Sequence, residues 1–475
     1  MSNKIQYTIL DGRLGKSGGF PSGKFAVLGV AEIVTDSIKT ISAYSEVSPS
    51  FGNSPLSEFL SDALSLPKAP VIFALGLSGS IPGTVSPVVK HSGNRGIGSI
   101  TVTGNPRSEY QIEIIIDEAG GLNEAVFHLL IDGKTGKRIT VPATPGTYEI
   151  PSTGLTLHFD PGTPVGSEKS FETNDSFSFK TTPPRATNEE LLLGFEKILE
   201  SGLDYEFIAV AGATSSDLWI ALNTRLLMEE GKNNFKTAVC QARSIRENET
   251  VNDYINALLT TEHPNASLKR LQVVALSGVI TGITGEVDIR SPLGKYSGWI
   301  SANCKVEERP GKVKLGSIAG ITGIFPEVTG AQIDLLSESG YVTLTRYPHK
   351  SGYFFTKGRL MSDTSSDFQC IPERRVMDKA LSLLYEKQID FLNDDVNVSK
   401  KDGSPEGLKY FKSYSEMPLN EMKKAGEISD FKLVIPPAQN ILSDETLRFE
   451  LGVTPKGYIG MIFGTIYFVN PEGGE

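Results

Sequence analysis

The chain has 475 residues with 46 basic and 56 acidic side chains, a formal net charge of −10. Its 48 Gly and 27 Pro, about 16 % of the chain, make it rich in loops yet well below the roughly 25 % of low-complexity sequences. The acidic balance, with no Lys/Arg run beyond two or three, excludes the phosphate-neutralising footprint of a nucleic-acid binder, and apolar stretches such as Val71–Leu77 and Tyr458–Val469 are too short or too broken by Gly to span a bilayer.

Met1 to Leu10 has no charged region followed by an apolar one, so no secretory signal is expected. Ile5, Tyr7 and Ile9 alternate as one apolar face of a strand, and Asp11 to Gly23 is a Gly-rich tether, so residues 1–24 read as an arm and linker. Residues 25–80 begin a core: strand Phe25–Val30, a helix near Ser54 to Leu66 with Pro55 at its first position, and the buried strand Val71–Leu77. Between 81 and 184 the character changes to short alternating strands, Ser99–Thr103, Tyr110–Ile116, Ala125–Ile131, Arg138–Val141, Thr147–Ile150, Leu155–Phe159 and Ser176–Lys180, which make an inserted all-β domain.

Thr187-Asn188-Glu189-Glu190 is a capping box that opens a helix ending at Gly202. Strand Tyr205–Ala211, helix Ser215–Glu230, strand Phe235–Val239, helix Val251–Thr261 and strand Leu271–Leu276 follow as α/β layers. Gln332–Ser339 ends a helix ahead of strand Tyr341–Thr345, and Pro372 opens a helix burying Val376, Met377, Ala380, Leu381, Leu384 and Phe391. A helical stretch, Glu406–Lys424, precedes strands Phe431–Ile435, Leu447–Val453 and Tyr458–Val469, the last forming a strand arm over 457–475. The expected fold class is α+β multidomain: an α/β layered core (25–80 and 185–456) with an inserted all-β domain and extended N- and C-terminal strand arms.

Chemistry-bearing motifs are largely missing. Gly12 to Ser17 resembles a phosphate loop, but Leu10 stands where its first Gly belongs. Gly76 to Ser80 ends in the wrong residue for a nucleophile elbow. His91, His128, His158, His263 and His349 show no ligand spacing, and Asp117-Glu118 and Glu229-Glu230 read as solvated pairs. Cys240, Cys304 and Cys370 are far apart and fit buried thiols in a reducing compartment. The expectation is no catalytic residue, no cofactor and no metal, and so a structural role in place of an enzyme.

Three segments carry a resemblance. The exit from the β insertion, Asn174 to Pro184, is similar to the strand and Thr-Pro-Pro exit of contractile tail sheath proteins, the family shared by contractile phages, bacteriocins and related injection systems. Ala331 to Thr343 resembles a helix and strand of that family's C-terminal core. Gly358 to Ser362 followed by Ile371 to Asp378 resembles its Arg-rich strand-to-helix junction. The match in order covers roughly 185–475, with Lys312 to Gly323 following the pattern only loosely, which leaves the branch of contractile systems open.

The resemblance implies subunits stacked as six-fold rings around an inner tube, with terminal strands crossing to neighbours to complete their sheets. On that basis Ile5, Tyr7 and Ile9, and Tyr458, Ile459, Met461, Phe463, Ile466 and Phe468, are the inter-subunit exchange residues. Lys409, Lys412, Lys423 and Lys424 are the candidate contact to an acidic inner tube, with a solvated helix face as the alternative. The implied partners are further copies of this chain in a helical sheath, the inner tube protein, baseplate and terminal cap proteins and sheath paralogues, with neither nucleic acid nor membrane insertion. It also implies synthesis in the bacterial cytoplasm, assembly into a tail-like particle or phage virion, and contraction without nucleotide hydrolysis in this chain. The alternatives are a non-contractile phage-like tail or baseplate structural protein and, less in keeping with the missing motifs, an enzyme on the α/β core.

Overall fold

After its lysine, Lys24–Val30 holds only apolar residues and Gly, and in the computed structural model all six are buried, as a strand covered on both faces requires. The structure describes residues 20–131, 133–151, 153–164, 169–246, 248–283, 285, 287–399, 405–436, 439, 441–460 and 462–466. The chain divides into two compact units, the first ending at Arg374 and the second beginning at Arg375.

Lys24–Val30 lies within a seven-stranded sheet of order Tyr341–Val342, Leu271–Val274, Thr237–Gln241, Phe207–Ala213, Lys24–Val30, Val71–Leu77, Lys39–Ile41. Neighbours run parallel except at the Lys39–Ile41 edge. The two-residue period of the strand sends Phe25 and Val27 into a core with Phe59 of helix Pro55–Leu64 and Tyr296 of helix Leu293–Gly298. Ala26 and Leu28 face the opposite core, built with Phe195 of helix Asn188–Leu199, Trp219 of helix Ser216–Glu230 and Tyr254 of helix Val251–Leu259.

The helix starts follow their local sequence. Ser54 Oγ accepts the Ser57 N–H at 3.2 Å, with Pro55 at the first helical position. Thr187 N–H donates to Glu190 Oε2 at 2.8 Å, while the Glu190 N–H donates to Thr187 Oγ1 at 3.3 Å. Glu190 also accepts the Ser80 hydroxyl at 2.9 Å, tying this helix to the start of the β segment.

That β segment is a sandwich. One sheet, centred on Gln111–Glu118, Val126–Ile131 and Ser176–Lys180, faces a second of Ser99–Gly104, Leu155–Asp160 and Thr147–Ile150. Ile112, Ile114, Phe127 and Phe177 from the first meet Ile100, Leu157 and Phe159 from the second in one core, with Phe127 and Phe159 ring centres 4.9 Å apart. The segment enters and leaves side by side: Ile81 N–H donates to Arg185 O at 3.0 Å and Arg185 N–H to Ile81 O at 2.8 Å.

No strand pattern is legible in the Gly-rich region after Leu276, yet it forms an antiparallel sheet of Val287–Arg290, Ser277–Thr281 and Ile321–Phe325. A Cβ on Gly323 would stand 2.7 Å from Val279, so a residue that looks like loop composition permits a close cross-strand approach. The edge strand Lys39–Ile41 was also missed, because it offers only Ile41 to the core.

In the second unit, Val376, Ala380 and Leu384 of helix Ile371–Gln388 pack with Leu419 and Met422 of helix Lys409–Ala425 and Leu433 of strand Asp430–Val434.

Candidate assembly interface

Strands Asp430–Val434 and Glu450–Thr454 pair antiparallel, with Phe431 opposite Val453 and Leu433 opposite Leu451. Alternation turns these four side chains toward the helices of the unit and leaves Asp430, Lys432, Glu450, Gly452 and Thr454 exposed. Among the described residues neither strand has a second neighbour, so each presents an open edge of backbone donors and acceptors.

The tail beyond this hairpin differs from the strand expected over Tyr458–Val469: residues 458–460 and 462–466 carry no regular secondary structure. A strand needs a partner ladder, and this segment has none among the described residues. Tyr458 is half-buried, whereas Ile459 is 84 %, Ile462 87 %, Phe463 90 % and Ile466 95 % exposed. Met461 and Phe468, like Ile5, Tyr7 and Ile9, lie outside the described residues.

Helix Lys409–Ala425 buries Phe411, Ser415, Pro418, Leu419 and Met422. Lys409, Lys412, Lys423 and Lys424 are all exposed, and at 3.6 residues per turn they fall within roughly a third of the circumference, bordering the buried stripe at Leu419. The structure adds two acids that the lysine count overlooked. Lys412 Nζ lies 3.7 Å from Glu416 and Lys423 Nζ donates to Asp430 Oδ1 at 2.7 Å, which holds the Asp430 carboxyl below its usual range. Tyr410, 68 % exposed, stacks on Tyr414 and adds an aromatic element to this surface; the sequence signal was its place one residue after Lys409 on a face opposite Leu419.

Other residues singled out from the sequence have separate partners. His128 Nδ1 lies 3.0 Å from Asp117, which together with Glu118 also binds Arg138. His91 faces Ser178, His158 faces Thr103 and His263 faces the Ser339 carbonyl. The Gly12–Ser17 loop lies outside the described residues. All three cysteines are buried, and burial pushes the Cys240 thiol up to about 12. Among the described residues no cluster of three His, Cys, Asp or Glu is placed to hold a metal, and no helix is long and apolar enough to cross a membrane.

The whole fold recurs in solved assemblies. A sheath chain of an extracellular contractile injection system, the PVC sheath complex in its contracted state, matches at TM-score 0.54 and 9 % identity, covering 99 % of each chain. A chain of the anti-feeding prophage baseplate in contracted state matches at TM-score 0.53 and 10 % identity, over 98 % of this chain and 97 % of that one. The contracted anti-feeding prophage helical sheath matches at TM-score 0.51 and 9 % identity, over 98 % of both. The fold is therefore the α+β multidomain fold of contractile sheath proteins, as the sequence resemblance implied. The chain belongs to the DUF2586 family: the model of its N-terminal domain matches residues 2–359 and that of its C-terminal domain residues 367–473. No curated protein sequence matches it.

Proposed function

We propose that this chain is the structural sheath subunit of a contractile tail or injection system, without catalytic activity of its own. Made in the bacterial cytoplasm, it polymerises as stacked six-fold rings around an inner tube, bounded by baseplate and terminal cap proteins, and contracts to drive the tube through a target envelope. The observation that carries this reading is the tail: four large apolar side chains are 84–95 % exposed on the single chain, in the same unit as a two-stranded sheet with open edges. Burying each such side chain against a neighbour contributes on the order of 1.5–3 kcal/mol before ordering entropy is subtracted. Strand addition to the Asp430–Val434 and Glu450–Thr454 sheet of a second copy satisfies the backbone as well. Ile5, Tyr7 and Ile9 are assigned the same exchange role at the other end of the chain.

The double substitution Ile462→Ser and Phe463→Ser tests this. It is expected to leave the circular dichroism of the subunit unchanged and to raise the concentration needed for polymerisation at least ~10-fold. Polymers forming at the wild-type concentration would contradict the role of the tail. The second reading, a non-contractile phage-like tail or baseplate structural protein, predicts rings or short discs in place of long cylinders.

A further inference from the structure

At the carboxyl ends of strands Phe207–Ala213 and Thr237–Gln241 lies a cavity of about 120 Å³, lined among others by Glu58, Asp62, Gly212, Gln241, Arg290 and Ser291. In a doubly wound sheet this end, next to the point where strand order reverses, is where a crevice opens. Here it is filled with charge drawn from distant parts of the sequence. Arg290, on strand Val287–Arg290, forms a fork to Asp62, with Nε and Nη2 each 3.0 Å from a carboxylate oxygen, and Asp62 is 2 % exposed. The same guanidinium also stands 3.7 Å from Asp288 through Nη1, so it already serves two carboxylates.

Glu58, one turn earlier on the same helix, is half-buried and lines the same cavity. The charged groups around it are Asp62 on its own helix, Asp288 and Arg290 on the neighbouring strand, and Glu109 from the residues leading into strand Gln111–Glu118. Lys295, on the helix packed against Pro55–Leu64, turns its Nζ to Ser65 Oγ at 2.5 Å. Lys24, on the strand beneath the helix, pairs with Asp204, and Glu46, in the turn before it, is bound by the Ser42 and Ala43 N–H groups. Three other carboxylates thus act on Glu58 against a single cation that already serves Asp62 and Asp288. Burial, reinforced by Glu109, Asp288 and Asp62 and opposed by Arg290, pushes the Glu58 carboxyl up to about 7.

We infer that Glu58 is a proton-uptake site that ties the junction of helix Pro55–Leu64, strand Val287–Arg290 and the Glu109 segment to pH, so that this junction is firmer in mild acid than in mild alkali. The sign follows from linkage. The group holds its proton in the closed structure at pH values where the freed side chain, near 4.5, has lost it. The stabilisation is complete below about 4.5 and is lost as pH rises through about 7.

Hydrogen exchange of the full-length chain, corrected for the intrinsic pH dependence of exchange, reads this directly. Between pH 5 and pH 8 the protection of residues 55–64 and 287–290 is expected to fall ~10- to 100-fold in the wild type, the lower end reflecting the partial exposure of Glu58. It should stay flat in Glu58→Gln, with helix 188–199 as an unchanged internal reference. Glu109→Gln and Asp288→Asn each remove a repelling charge and should move the wild-type transition to lower pH. Equal pH slopes in wild type and Glu58→Gln would overturn the assignment. Should Glu58→Gln fail to fold, an unmoved transition in both neighbouring variants overturns it equally.

Discussion

Arg270 has no solvent exposure, and its guanidinium donates to Glu230 Oε2 at 2.6 Å and to the Lys236 carbonyl at 2.8 Å, while Arg374 stands 3.6 Å from the same carboxylate. Burial on its own raises the Glu230 carboxyl, but the hydrogen bond and charge of Arg270, with Arg374, outweigh it and leave the group below its usual range. Glu230→Ala removes this carboxylate from a buried cation, so we expect a loss of about 3 kcal/mol in urea unfolding. A change within about 0.5 kcal/mol would place the pair among dispensable surface bridges. The sequence offered Glu229-Glu230 as a solvated pair. Neither carboxylate is solvated in that way: Glu229, its side chain 15 % exposed, is held by Lys232 and Asn234, and the partner of Glu230 lies 40 residues away, where no local spacing announces it.

Elements written by local rules were legible in the sequence: the capping box at Thr187 and Glu190, the helix start with Pro55 at its first position and the continuous apolar run Val71–Leu77 are all present. Elements whose pairing is long-range were not. Ser277–Thr281 pairs with Ile321–Phe325 across an intervening helix, and Gly278 and Gly323 carry no side chain to display the period-two pattern. The tail shows the converse case, in which strand-like composition has no ladder among the described residues. Helix Lys409–Ala425 was legible as an element, but its electrostatics were not, since Asp430 reaches Lys423 from the following strand. If this face meets an acidic tube wall, Lys424 and Lys423 act together, and Lys423→Glu with Lys424→Glu should reduce co-sedimentation with tube at least ~10-fold and weaken further at low salt. Unchanged co-sedimentation would assign the stripe to solvent.

At the scale of the whole molecule, the sequence order of α/β core, β insertion and flanking apolar arms gave the fold class, and the near full-length likeness to contracted sheath chains agrees with it. In the proposed assembly the apolar tail and the open hairpin edges, which have no strand partner among the described residues, would be lattice contacts. In the proposed assembly, a net charge of −10 would favour solubility of the free subunit. The most direct test is negative-stain electron microscopy of the full-length chain co-expressed with a candidate inner-tube protein. The sheath account predicts striated hollow cylinders of two lengths and widths, the shorter and wider lacking a tube along part of its bore. Monomers or isolated rings under every assembly condition would contradict it.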